Sequence, residues 1–189
     1  MKPLAGPPAD FDKRPLPTIE FADPLYRIHR RDKDPVFFGR LALYRFDAPD
    51  ASYGVLYTGT SVEAAFAEVF LRDPPCLVSR DEIAQRYISR ITLSKKLVLL
   101  SAYGADLAKV SLTSEIGTCD YKTSRAWSAA IHAHPQKVDG IFWAGRHDNA
   151  TRSIAIFERA KGKLVSAVPS PFDDPTLANL AERYQAALI

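Results

Sequence analysis

The feature that most restricts this chain is a strand pattern from Tyr53 to Thr58 that ends at Gly59 and runs directly into Thr60, Ser61, Val62 and Glu63. Thr60 and Glu63 stand at capping-box spacing, so a strand must feed a helix through a tight turn. The helix is predicted over Ser61 to about Leu71, with Val62, Ala65, Phe66 and Val69 on one stripe, and Asp73-Pro74-Pro75 stops it. Glu68 has apolar neighbours at helical spacing, Ala64 and Ala65 behind and Leu71 ahead, whereas Glu63 and Arg72 mark the solvated side. This carboxylate borders the core. The plain alternative is a surface pair with Arg72, four residues on, worth ~0.3 to 0.5 kcal/mol.

Around that unit the chain is mostly short strands. Leu25 to Arg30 alternates, putting Tyr26 and Ile28 on one face and Arg27 and His29 on the other. A short strand is predicted at Leu43 to Phe46, carrying Arg45, amid loops from Asp32 to Asp50. Further strands are expected at Tyr87 to Leu93, Leu97 to Leu100, Val138 to Trp143, Arg152 to Glu158 and Lys163 to Val168. Two more helices are expected, Tyr121 to His132, with Ser124, Trp127, Ser128 and Ile131 on one face, and Leu177 to Leu188 after a Pro169 to Pro175 linker. Few helices among many short strands imply an α+β single domain rather than alternating βαβ units. Pro3, Pro7, Pro8, Pro15 and Pro17 mark residues 1–20 as an N-terminal arm, leaving 21–189 as the domain.

Composition narrows the function classes. With 25 basic against 22 acidic residues, the net charge of +3 is too small to make nucleic-acid binding the main role. No apolar run approaches the ~18 residues of a membrane span, and no secretory leader pattern follows Met1-Lys2, so a cytoplasmic protein is expected. Cys76 and Cys119 form no disulfide framework, and His132 and His134, two apart, point to different sides of a helix, so no metal is expected. Gly54, Gly59 and Gly104 are isolated, which leaves the phosphate-loop motifs unsupported, and no serine sits in a nucleophile elbow.

The ordered set Leu25-Tyr26-Arg27-Ile28-His29, Tyr44-Arg45-Phe46-Asp47, Gly54-Val55-Leu56-Tyr57 and Ala64-Ala65-Phe66-Ala67-Glu68 resembles the RES-domain toxins. The resemblance continues through Tyr121-Lys122-Thr123-Ser124-Arg125-Ala126-Trp127 and Asp139-Gly140-Ile141-Phe142-Trp143, covering most of residues 24–160. That family is named for an arginine, a glutamate and a serine, and is paired with an Xre-type antitoxin in bacterial toxin-antitoxin modules. Its fold is similar to that of ADP-ribosyltransferases, which implies here a core of short, mainly antiparallel strands with flanking helices.

Position by position, the resemblance makes Arg27 the family arginine, Glu68 its glutamate, Tyr57 a pocket tyrosine and Arg45 a second pocket arginine. Ser124 best fits the serine, although the family also tends to carry Ser-Arg where this chain has Gly145-Arg146. The implied co-substrate is NAD+. Glu68 and Arg27 would be catalytic, with Arg27, Arg45, Tyr57 and Ser124 holding the dinucleotide. Cleaving the nicotinamide N-glycosidic bond builds an oxocarbenium-like ribose that a carboxylate stabilises. Guanidinium forks suit the pyrophosphate, and an aromatic face suits nicotinamide, with the Tyr57 hydroxyl near water. The acceptor of ADP-ribose stays open between a protein, water and phosphate, the last two making the chain an NAD+ glycohydrolase or phosphorylase. The implied partner is an Xre-type antitoxin in a hetero-oligomeric complex, the toxin itself not touching DNA. The competing class is a non-catalytic protein or RNA interaction module, which would tolerate Glu68→Gln.

Overall fold

The computed structural model of the chain describes residues 3–71 and 76–189. The strands are β1 (Thr18–Phe21), β2 (Leu25–Arg30), β3 (Val55–Gly59), β4 (Leu77–Val78), β5 (Arg86–Leu93), β6 (Leu97–Ala102), β7 (Gly140–Ala144), β8 (Arg152–Phe157), β9 (Leu164–Ser170) and β10 (Ala187–Leu188). The α-helices are α1 (Val62–Phe70), α2 (Arg80–Ala84), α3 (Tyr121–Ala133) and α4 (Asp174–Tyr184). Eight strands form one sheet in the order β1-β6-β7-β8-β3-β2-β5-β9. Within it every neighbouring pair is antiparallel except β6 with β7. This is the expected α+β architecture.

The sheet has a seam. β3 pairs with β8 over five residues and β2 with β5 over six, but β2 and β3 meet only at Tyr26 and Gly59. Beyond that rung the strands part, and the segment after β2 fills the gap, with Gly39 and Val55 exchanging two backbone hydrogen bonds at 3.0 Å. Leu25 and Ile91 share a buried cluster with Leu97, Leu99 and Phe142, which lie on the far side of the seam in strand order, so the sheet curls around this core. On the outer face α3 sets Trp127 and Ile131 against Val55, Ile141, Trp143 and Phe157, while α1 packs Ala65 and Phe66 with Ile28.

The turn from β3 into α1 is as tight as the sequence demands. A side chain at Gly59 would put its Cβ 2.6 Å from the Ala65 nitrogen and 2.9 Å from the Ser61 oxygen, so glycine alone fits. The cap, however, is Ser61, whose hydroxyl accepts from Ala64 N at 3.2 Å, one residue beyond the Thr60 expected. Thr60 instead ties back to β8, its amide and hydroxyl both donating to the Arg152 carbonyl. The expected stop at Asp73-Pro74-Pro75 and the Glu68–Arg72 pair fall on residues 72–75, outside the described residues.

Other expectations need correction. Leu43 to Phe46 is a turn, because the Asp47 carboxylate takes the amides of Leu43 and Tyr44 that a strand would have paired. The proline-rich segment packs along the domain: Phe11 and Leu16 are buried, Phe11 meets Trp127 edge-on at 5.2 Å, and the indole donates to the Ala5 carbonyl. β1 begins at Thr18, inside that segment. The Pro169 to Pro175 linker is shorter than expected, since Pro169 lies in β9 opposite Ser89 and α4 starts at Asp174 under an Asp173 cap. No helix of the described residues is long and apolar enough to cross a membrane.

Candidate active site

Glu68 lies in the last turns of α1, where it meets the start of β8. There the Ser153 hydroxyl donates to Glu68 Oε1 at 3.2 Å. Ser153 is itself buried, and its strand position opposite Gly59 brings it under α1. Glu68 keeps solvent access, yet protein crowds it on several sides, and that desolvation pushes its carboxyl above the usual carboxylate range. The Ser153 hydrogen bond and the charge of Arg45 act in the opposite sense. The result is a carboxylate on the exposed side of α1, oriented by one hydroxyl and acted on by the charge of one guanidinium.

The third wall is the turn into β8. A Cβ at Gly145 would stand 3.7 Å from Glu68 Oε1, so position 145 adjoins the carboxylate. The same Cβ would come within 2.9 Å of the Asp148 carbonyl, which keeps the turn narrow. The hydroxyl that meets Glu68 Oε1 beside Gly145 is that of Ser153, from the following strand.

Arg45 sits on the turn of residues 43–47. Its Nη1 donates to the Cys119 carbonyl, and its guanidinium lies 5.1 Å from the Tyr121 ring centroid. Tyr57 stands behind that turn with its hydroxyl donating to Asp47 Oδ1 at 2.9 Å and accepting from Phe46 N at 2.8 Å. The expectation that this hydroxyl stays near water is therefore corrected: burial and the neighbouring Asp47 carboxylate push the phenol well above its ordinary value. The ring presents its flank to Tyr44, centroids 5.6 Å apart.

Arg27 is held apart from Glu68. Strand alternation puts it on the Leu25 face of the sheet, whereas Tyr57 lies on the Val55 face. Its Nη1 donates to the carbonyls of Pro35 at 2.7 Å and Phe37 at 3.3 Å, pinning the segment that fills the seam. Desolvation lowers its pKa to about 10, with the Asp34 charge counteracting. Both of these carbonyl bonds run through Nη1.

Ser124 does not join the site. It is fully buried in α3, with its hydroxyl donating back to the carbonyls of Asp120 at 3.2 Å and Tyr121 at 3.3 Å. Asp120, not Ser124, caps the helix. Sequence reasoning missed Ser153 and Asp47. The signal for Ser153 was its place as a small polar residue among the apolar positions of β8, and for Asp47 its place at the end of Tyr44-Arg45-Phe46-Asp47.

A RES domain family model matches residues 24–178. The sequence matches no curated protein. Among solved structures, the chain is similar to one in the crystal structure of the M. tuberculosis MbcT-MbcA toxin-antitoxin complex, with TM-score 0.57, 15% identity, and coverage of 89% of this chain and 92% of that chain.

Proposed function

The chain belongs to the RES domain family, and from that membership we propose that it is the toxin of a bacterial toxin-antitoxin system, an enzyme that cleaves NAD+ and transfers its ADP-ribose. The observation that carries this reading is the Glu68 carboxylate, oriented by the Ser153 hydroxyl and acted on by the charge of Arg45.

In this reaction the bond between nicotinamide N1 and ribose C1′ breaks, and its electron pair leaves with neutral nicotinamide. Positive charge develops on the ribose. Glu68, ionised, stabilises that charge through Oε2 while Ser153 holds Oε1, and it engages the ribose hydroxyls. Arg45, and Arg27 from across the seam, hold the pyrophosphate. The ring of Tyr57 borders the nicotinamide, with its hydroxyl committed to the protein. The acceptor's nucleophilic atom then bonds to C1′ and gives up its proton.

A protein side chain is the first acceptor, making the chain a mono-ADP-ribosyltransferase. Water and phosphate are the alternatives, which would deplete NAD+. The partner is an antitoxin of the Xre type forming a hetero-oligomeric complex, in keeping with the fold shared with a chain solved in a toxin-antitoxin complex. The setting is the bacterial cytoplasm. No resident cofactor or metal takes part.

The test is incubation of the purified protein with NAD+ labelled in its adenylate part. Nicotinamide release by wild type and its loss of 100-fold or so in Glu68→Gln is expected, the magnitude of a lost electrostatic stabiliser. Label on a polypeptide identifies the protein acceptor, and free ADP-ribose or its phosphate ester identifies a small one. No release from wild type would sink the reading.

A further inference from the structure

The turn that carries Arg45 is held by more bonds than a surface turn needs. Asp47 is 1% exposed, and its carboxylate accepts three hydrogen bonds, from Leu43 N and Tyr44 N to Oδ2 and from the Tyr57 hydroxyl to Oδ1, each 2.9 Å. Tyr57 closes the ring by accepting from Phe46 N. The carbonyls are used as well. Arg125 Nε donates to Tyr44 O at 3.0 Å, and the Ser128 hydroxyl to Phe46 O at 2.6 Å. Ala42, at the entry, has a φ of 51°, a left-handed conformation that costs an alanine about 1 kcal/mol or more and persists only where its surroundings dictate it. Arg45 is the residue at the centre of this turn, half-buried, its charge reaching Glu68.

We propose that Asp47 is a positioning residue, which through the Tyr57 hydroxyl and the Leu43 and Tyr44 amides fixes the direction in which Arg45 presents its guanidinium to the dinucleotide. The assignment rests on the NAD+ reading for its ligand, and changes the part played by Tyr57: its hydroxyl serves the turn, not the substrate. Asp47 touches no substrate atom. Its carboxylate is suited to the task because it has acceptors only, and all three facing groups are donors. Asparagine in its place would turn a donor towards either the two amides or the phenol.

The test is a double-mutant cycle on nicotinamide release, using D47N, R45A and the pair, with Y57F as a second route that removes the hydroxyl and keeps the ring. D47N and Y57F should each raise the KM for NAD+ roughly ten-fold or more, as small misplacements of a binding group do. In the R45A background D47N should add less than about two-fold, because the group it positions is gone. Hydrogen exchange at the Tyr44 and Phe46 amides, read by NMR without substrate, should speed up in D47N and Y57F alike. A KM within two-fold of wild type in both variants, or an equal effect of D47N with and without Arg45, would overturn the proposal while leaving NAD+ cleavage standing. Absence of nicotinamide release from wild type overturns the NAD+ reading instead, and unchanged exchange in both variants still counts against the turn's dependence on Asp47.

Discussion

The Ser153 hydroxyl, from the first half of β8, reaches Glu68 Oε1 at 3.2 Å and so joins the sheet to the carboxylate that α1 delivers. A hydrogen bond to the ionised form lowers a carboxyl's pKa, and here it opposes desolvation that raises it. Ser153→Ala removes the opposing influence, so the Glu68 pKa rises further. The acid limb of the pH-rate profile should move to higher pH, with a loss of about ten-fold in rate at the acid end and a smaller one at alkaline pH. A pH profile of nicotinamide release checks it, and an unmoved limb would separate Ser153 from Glu68.

Glu68→Gln should stabilise the fold at neutral pH. A carboxyl with a native pKa above its unfolded value binds its proton more tightly when folded. Its contribution to stability is therefore present below the unfolded pKa, falls as pH climbs through the raised value, and stays lost above it. Solvent access screens the effect to below about 1 kcal/mol, a rise of roughly 1 to 3 °C in Tm. Calorimetry at pH 7 and again at pH 4 should show the advantage of glutamine shrink in acid.

Arg27 should prove a stability residue as well as a binding one. Arg27→Ala releases the Pro35 and Phe37 carbonyls, at a cost of roughly 1 to 3 kcal/mol, and Arg27→Lys recovers only part because an ammonium is more strongly hydrated and loses more on burial. Urea unfolding of the two variants gives the comparison. An alanine variant as stable as wild type would show that the seam segment holds itself.

Acid stability should depend on His132. Its ring stacks on Tyr53 with centroids 3.8 Å apart, and burial together with the charges of Arg159 and Lys137 lowers its pKa to about 4. Between the ordinary value of 6.5 and about 4 the unfolded chain takes up a proton that the native one refuses, so stability declines as pH falls through that window. His132→Phe, which keeps the stack, should flatten the decline over the same window in thermal melts.

Gly59→Ala should cost about 1 to 3 kcal/mol, since the added methyl meets backbone atoms of the α1 start rather than a flexible side chain. Denaturant midpoints measure it. A loss of nicotinamide release larger than the loss of folded protein would show that α1, and Glu68 with it, has shifted.

Much of this was legible because it is local. The alternation of Leu25 to Arg30 gives β2 residue for residue, and Gly59 with Ser61 marks the β3–α1 turn to within one position. Glu68 could be read as a carboxylate among apolar helix neighbours, while its exposed position on α1 could not. What could not be read depends on partners distant in sequence. Phe46 and Tyr44 look like strand residues until Asp47 and Tyr57 claim the amides between them. Ser124 has helical spacing that suits a ligand, but the hydroxyl turns back on its own helix. Ser153, 85 residues beyond Glu68, becomes its neighbour only when β8 pairs with β3. The prolines of the first segment exclude a long helix there, yet they leave Phe11 free to dock against Trp127.

The single rung between Tyr26 and Gly59 makes the width of the seam an affair of loops. Spreading a continuous ladder would break backbone bonds along its whole length; spreading this sheet strains one rung, the Gly39–Val55 bridge and the clasp of Arg27 on residues 35–37. The two sides of the seam are thus held together less by backbone than by one short segment above and the shared cluster of Leu25, Ile91, Leu97 and Leu99 beneath.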